Sequence, residues 1–228
     1  TLYATVGRGF RAPQMTELYR LQSGQAVSNL DPDTVDSVEV GLRVAHGRWY
    51  LDSSIFAMRK KNSVIRDAEG FNVSDARSRH AGIELSYDVD IHEHWRIGLN
   101  GTYAKHTYDF DLVAARGETF VSGRDVDTAP RWIGSARILY EGPGRLSGEL
   151  QWVSLGSYYL DAENGHSYPG HDIANIRLTW ALADRWSIDA RLNNLTDARY
   201  ADRADFAFGN YRYFPGRGRE LYLRIRIR

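Results

Sequence analysis

The sequence predicts an all-β fold, an antiparallel transmembrane β-barrel wall of ten meandering strands. Three observations carry this. In the hairpin AGIELSYDVDIHEHWRIGLNGTYA, Ala81 to Ala104, one arm puts Ala81, Ile83, Leu85, Tyr87, Val89 and Ile91 on one face. The other arm answers with Trp95, Ile97, Leu99, Gly101 and Tyr103. Strand side chains alternate between faces, so each arm has one dry and one wet side, and each is about the roughly 9–11 residues a tilted strand needs to cross a bilayer. Second, short turns alternate with longer connections along the chain, the habit of barrels with short periplasmic turns and long outer loops. Third, Trp49, Trp95 and Trp186 each follow a short turn at once. Tryptophan favours the membrane–water boundary, where its ring is buried and its N–H stays wet.

Taken in order, the first strand is Leu2 to Gly7, followed by a long loop from Arg8 to about Asp33. Val38, Val40, Leu42 and Val44 mark the second strand, and the turn Ala45-His46-Gly47-Arg48 leads to a third with Trp49, Leu51, Ser53, Ile55 and Ala57 outward. Phe56 and Met58 fall on its polar side, which makes that register the least regular. Asp67-Ala68-Glu69-Gly70 is a turn into the central hairpin, which supplies strands four and five, and Val113 to Thr128 is expected to be a loop. Trp132, Gly134, Ala136, Ile138 and Tyr140 form the sixth strand, and Glu141-Gly142-Pro143-Gly144 is a strong turn. Leu146, Gly148, Leu150 and Trp152 form the seventh strand, and a loop runs from about Leu160 to His171. The eighth strand shows Ala174, Ile176, Leu178, Trp180 and Leu182, and the ninth, after Ala183-Asp184-Arg185, shows Trp186, Ile188, Ala190 and Leu192. After a loop of about twenty residues, Leu221, Leu223, Ile225 and Ile227 alternate with Tyr222, Arg224 and Arg226 in the tenth.

Composition agrees. Formal net charge is zero, from 29 basic and 29 acidic residues, so a nucleic-acid partner held by a basic surface is not expected. Only Lys60, Lys61 and Lys105 are lysines; the other bases are arginines, whose rigid fork suits pairing with carboxylates. A polar face laced by such pairs follows, with Arg224 and Arg226 sharing it with acids such as Glu39 and Glu84. Cysteine is absent, which excludes disulfides, thiol nucleophiles and thiolate metal sites. A mean hydropathy of −0.48 fits a membrane barrel, because half of every strand faces water. A soluble sandwich would put its apolar residues inside and would not set so many charges opposite one another.

Short segments now gain meaning. Gly9-Phe10-Arg11-Ala12-Pro13 precedes Glu17-Leu18, then Asn29-Leu30-Asp31-Pro32-Asp33 and Glu39-Val40-Gly41. Downstream come Gly82-Ile83-Glu84, Ala129-Pro130-Arg131, Asn193-Asn194-Leu195-Thr196-Asp197 with Tyr200, and Pro215-Gly216-Arg217. In this order they resemble the barrel of TonB-dependent outer-membrane receptors. The resemblance implies a receptor in the bacterial outer membrane that takes up a scarce nutrient, a ferric siderophore by family frequency, with no enzymatic activity and no cofactor. It also implies that residues 1–228 are one barrel region, the C-terminal part of a barrel of roughly 22 strands. The plug domain, through which the TonB complex is engaged, would lie upstream, and the chain ends on Ile227-Arg228 where the family usually ends on an aromatic residue. Haem receptors of the family carry a histidine between the first two segments. Phe10 to Leu30 has none, which disfavours haem. An open sheet edge is costly in lipid, so either strands one and ten pair or further strands complete the barrel.

Ligand contacts are expected on the long outer loops, where arginine can neutralise chelate oxygens and aromatic faces can cover chelate rings. The candidates are Arg20 in the first long loop, Tyr158, Tyr159 and His166 near Leu160, and Arg203, Tyr211, Arg212 and Tyr213 in the last. Arg11, in a segment shared by receptors of many substrates, is expected to pack loops rather than choose a ligand. The competing reading is a small stand-alone barrel, a pore or an omptin-like rim protease. The latter requires Asp109 and Asp111 to meet His171 and Asp172 at the mouth and activate water. His92 and His94 flank Glu93 with metal-ligand spacing but sit on a turn expected to be solvated, and no metal site is assigned.

Overall fold

The computed structural model describes residues 1–19, 29–66, 71–114, 117–183 and 185–227. In chain order it contains β1 (Leu2–Arg11), a short helix α1 (Met15–Tyr19), β2 (Asp33–His46), β3 (Trp49–Arg66), β4 (Asn72–His92) and β5 (Trp95–Tyr108). A small hairpin, β6 (Leu112–Val113) and β7 (Thr119–Phe120), precedes β8 (Trp132–Glu141) and β9 (Leu146–Leu155). Next come β10 (Tyr158–Tyr159), β11 (Ser167–Tyr168), β12 (His171–Ala183) and β13 (Trp186–Asn193), then β14 (Ala201–Ala207), β15 (Asn210–Pro215) and β16 (Glu220–Ile227).

Ten of these strands form one antiparallel sheet in the order β1-β2-β3-β4-β5-β8-β9-β12-β13-β16, a meander with no crossover. The ten expected strands are all present, and β1 and β16 are its two edges. Among the described residues these edges do not pair with each other, so the sheet is a curved wall rather than a closed barrel.

The register follows the apolar alternation. Val40, Ile55, Ile83 and Tyr103 lie in one cross-strand row; Leu42, Ser53, Leu85 and Gly101 lie in the next. These residues face outward: Val40 is 54% exposed, Ile55 63% and Leu223 68%. A water-soluble sheet does not present a contiguous apolar face of this size. From Ile91 to Ala81 the band spans about 25 Å once strand tilt is allowed for, the height of a barrel's lipid-facing belt. Phe56 is buried on the opposite face, so the doubtful third strand keeps its expected register. Near the short-turn end, Trp95 lies 4.8 Å from Tyr140, centroid to centroid, and Trp49 lies 6.4 Å from Tyr87, the beginning of an aromatic belt. Trp132 lies flat over the outward side of Gly134 and Gly101, where an added Cβ would come within 2.3 and 2.6 Å of its ring. No helix is long and apolar enough to cross a membrane, which says nothing of strands.

Several boundaries differ from the expected ones. β1 runs on to Arg11, and β3 and β4, at 18 and 21 residues, continue well beyond the apolar band. There charges occupy both faces, so period-two hydrophobicity no longer marks the strand. The register shifts between Lys60 and Ser63, beside Asn62 at φ 62°, and this bulge turns the strand over. Below it odd-numbered residues of β3 face outward; above it Ile65 packs inward against Ala76, Tyr108, Phe110 and Ala162. The regions around 113–128, 160–171 and 194–219, expected to be plain loops, each hold a hairpin: β6–β7, β10–β11 and β14–β15. The expected turn at 67–70 and the turn residue Asp184 lie outside the described residues.

Candidate functional site

The inner face of the wall is a lattice of ion pairs towards the short-turn end. Arg43 meets Asp52 at 2.7 Å, Arg96 meets Asp90 at 2.6 Å, Arg137 meets Asp88 at 2.8 Å and Arg226 meets Asp189 at 2.6 Å. Arg226 therefore takes its partner from the adjacent strand rather than from Glu39, whose carboxylate accepts the Tyr3 hydroxyl at 3.0 Å. These contacts satisfy charges that would otherwise be costly on a half-buried wall.

The shared segments act as clasps. Arg11 donates to Asp33 at 2.8 and 3.0 Å and to both oxygens of Glu17 at 3.2 Å, while the Gln14 N–H donates to Glu17 at 2.6 Å. One guanidinium thus joins β1, α1 and the start of β2. The Arg11 guanidinium and the Gln14 N–H hold the Glu17 carboxyl below its usual pKa. At the other end of the chain Asn194 is 2% exposed with a left-handed backbone, φ 50°. Its side chain donates to the carbonyls of Ala198 and Arg217 and accepts the Ala198 N–H at 2.9 Å. Asp197 accepts the Arg219 N–H at 3.0 Å and faces its guanidinium at 3.4 Å, which lowers the Asp197 pKa.

At the long-loop end, hairpins β10–β11 and β14–β15 dock on each other. The Tyr158 hydroxyl accepts the Ala204 N–H at 3.1 Å and the Tyr168 hydroxyl accepts the Ala201 N–H at 3.0 Å, around Leu160 at 2% exposure. Tyr158 is therefore a packing residue, buried with its hydroxyl engaged, which corrects its expected place in a binding surface; burial also raises its pKa. Tyr159 is half-buried at the edge of this hairpin. The other candidates assemble. His166 stacks on Phe206 with centroids 3.5 Å apart and meets the edge of Tyr211 at 5.3 Å, and its Nδ1 lies 2.5 Å from Asp161. Tyr211 and Tyr213 lie parallel at 6.2 Å and are about half exposed. Arg203 and Arg212 share the nearly buried Asp205, Arg203 at 3.2 Å, and their guanidiniums lie over Phe214 and Phe208. Two arginines on one carboxylate leave a net positive charge beside an aromatic shelf. Arg20 lies outside the described residues.

Asp205 and Asp161 are the members that composition did not reveal. Arg203 and Asp205 are two residues apart and share a strand face, a signal available once the segment is recognised as a strand. Next to the shelf is a cleft of about 410 Å³ lined by Glu118, Asp161, Glu163, His166, Phe206 and Phe208, so it shares His166 and Phe206 with the shelf and adds three carboxylates. Burial raises the Glu118 carboxyl, and neighbouring Asp127 adds to the effect.

The rim-protease arrangement does not form. Asp109 is bound by Arg79 at 2.6 Å and Arg59 at 3.0 Å, Asp111 accepts the Ser122 N–H at 2.9 Å, and His171 pairs through Nδ1 with the Tyr168 hydroxyl at 3.0 Å. Among the described residues no group of three or more His, Asp or Glu side chains is placed to hold a metal ion.

A family profile described as "TonB dependent receptor-like, beta-barrel" matches residues 1–195. The metal-pseudopaline receptor CntO of Pseudomonas aeruginosa is 24% identical over 235 residues, a match covering 99% of this chain and 31% of that protein. The vitamin B12 transporter BtuB of Vibrio vulnificus is 23% identical over 232 residues, covering 99% of this chain and 34% of that protein. Among solved structures, the ferric citrate transporter FecA superposes with a TM-score of 0.80 at 18% identity, over 99% of this chain and 35% of that one. The ferric yersiniabactin receptor FyuA of Yersinia pestis gives 0.79 at 17% identity, over 99% and 34%. The chain thus spans about a third of the length of the relatives it matches. These named relatives are transport proteins rather than enzymes. An outward apolar band, an ion-paired inner wall, shared segments serving as clasps and a family match over most of the length lead to one conclusion: the chain is a portion of the β-barrel of a TonB-dependent receptor, a protein of the bacterial outer membrane.

Proposed function

We propose that the receptor containing this chain takes up a ferric siderophore, and that the ligand is met at the outer mouth by Tyr211, Tyr213, His166, Arg203 and Arg212, with Tyr159 at the margin and with Arg20 of the first long loop as a further contact. The observation that carries this reading is the exposed aromatic shelf flanked by two guanidiniums on one carboxylate. An iron chelate with aromatic or carboxylate arms offers flat rings and anionic oxygens, and this surface complements both. The carboxylates of the cleft repel an anion, so the chelate's oxygens meet the arginines over β15 while His166, at the cleft's edge, meets its rings. Relatives named for metal-pseudopaline and structural neighbours named for ferric yersiniabactin and ferric citrate support a metal chelate. The absence of histidine from Phe10 to Leu30 argues against haem. On this reading residues 1–228 are one barrel region, other parts of the receptor complete the barrel to roughly 22 strands, and an upstream plug domain engages the TonB complex.

The test is a full-length receptor with Arg203, Tyr211 and Arg212 replaced by alanine, titrated with a panel of ferric siderophores. Loss of about tenfold or more in affinity for the parent's ligand, equivalent to ~1.4 kcal/mol, is expected. Unchanged affinity for every ligand the parent binds would overturn the site while leaving the fold intact.

A further inference from the structure

The apolar alternation leaves Met58 on the inner, polar face of β3, where a thioether has no evident business. Met58 lies directly opposite His80 on β4, and His80 lies directly opposite His106 on β5. Residues directly opposite in an antiparallel pair share a face. One cross-strand row therefore carries a thioether and two imidazoles side by side on the inner wall, just above the height of the lipid-facing band. All three are half-buried.

The two imidazoles touch. His80 Nδ1 and His106 Nδ1 are 2.8 Å apart, with ring centroids at 5.0 Å. At the far side of the first ring, His80 Nε2 lies 2.9 Å from the Ser78 hydroxyl oxygen. With that oxygen accepting the Nε2 proton, the His80 lone pair stands on Nδ1, on the side of His106. Among the described residues His106 hydrogen-bonds through its ring only at Nδ1, so its Nε2 is open to carry the ring proton. Below the row, Phe56 opposite Gly82 and Gly82 opposite Ala104 make a dry floor, with Phe56 8% and Ala104 2% exposed. The charges that act on the pair are themselves matched: Lys60 lies 3.7 Å from Asp33, and Asp125 lies 2.6 Å from Arg131.

Two nitrogens each about 2.0 Å from a metal ion, and at a right angle around it, lie about 2.8 Å apart. The strands already hold the two Nδ1 atoms at that spacing, so only the rings need turn to convert the contact into a chelate. A right-angled imidazole pair suits copper(II), which also heads the order of affinities for such donors, and a thioether is a soft ligand that copper accepts. Magnesium and calcium ask for oxygen ligands, and this row has no carboxylate.

We propose that His80 and His106, with Met58 as third donor, bind one copper ion on the inner wall. The site is separate from the aromatic shelf and takes the ion itself rather than a chelate, so it stands independently of the siderophore reading.

The experiment uses the untagged full-length receptor in detergent, titrated with copper(II) against glycine as a competing chelator. Electron paramagnetic resonance counts the nitrogens on the bound copper. The parent should show a site with two nitrogens. His80→Gln and His106→Gln should each weaken that site at least about tenfold. Met58→Leu should weaken it severalfold and leave the nitrogen count unchanged. The double replacement His92→Gln and His94→Gln, at the short turn, should bind copper as the parent does. If neither wall-histidine variant folds, the parent is treated with diethyl pyrocarbonate and its modified histidines are read by mass spectrometry. Copper(II) should then protect His80 and His106 and leave His92 and His94 reactive. The proposal is overturned by equal copper affinity of the folded wall-histidine variants and the parent, or by fewer than two nitrogens on the copper. Undiminished binding in Met58→Leu, loss of the site with the turn histidines, or equal modification of His80 with and without copper would overturn it as well.

Discussion

Asn194 shows how much of a receptor barrel can rest on one amide. It is buried, holds a left-handed backbone conformation and closes three hydrogen bonds that no other side chain of its size reproduces. Asn194→Ala is expected to destabilise the region by about 1–3 kcal/mol, because buried backbone groups lose their partners. Faster hydrogen exchange across residues 194–219, with exchange in β3 and β4 unchanged, is the check. Two carboxylates at the mouth titrate in opposite senses. Glu17 has a folded-state pKa below its ordinary value, so its contribution is complete above that ordinary value and is lost as pH falls through the depressed one. Glu118 has a raised folded-state pKa, so its ionisation opposes folding at neutral pH, and the cost is relieved as pH falls through the raised value towards the ordinary one. As pH falls from neutral towards the ordinary carboxylate value, amides of the β6–β7 hairpin should therefore gain protection, after correction for intrinsic exchange, and Glu118→Gln should abolish that gain. No gain in the parent would remove Glu118 from this role.

For the elements, the alternation of lipid and water on the two faces made the fold legible in the sequence. Ten strands, their order and their facing follow from period-two hydrophobicity, because the two solvents differ more than the two sides of a soluble sheet. Leu85 lies near mid-band on the outward face, so Leu85→Arg is expected to cost about 2–4 kcal/mol in lipid. Ser86→Ala, which gives up only the inner-wall contact with Asn100 at 2.9 Å, should cost much less. Denaturant unfolding of the full-length receptor in vesicles measures both, and equal stability of Leu85→Arg and the parent would refute the facing. The loop hairpins were not legible. Tyr158, Leu160 and Tyr168 pack against another loop, Ala201 and Ala204, and neither alternation nor a turn dipeptide marks such a contact. The binding surface was half legible: its arginines and tyrosines stood out by composition, but Tyr158 proved to be core, and the acid that orders Arg203 and Arg212 appears only when β14 is seen as a strand.

On the scale of the whole molecule the wall has two open edges, β1 and β16, each with backbone donors and acceptors that lipid cannot satisfy. Residues 1–228 alone are expected to form oligomers or aggregates in detergent, while the full-length receptor migrates as a compact, heat-modifiable species. A monomeric, heat-modifiable form of the isolated piece would show that the edges close. The bulge at Asn62 has a further consequence. β3 serves two solvents in succession, oil below and water above, and its greasy side is outward in the first, at Ile55, and inward in the second, at Ile65. The extra residue supplies the half-turn between them. Beneath the bulge the strand is part of a hull; above it the same strand, inverted, becomes the roof beam of a small water-soluble domain raised on the membrane.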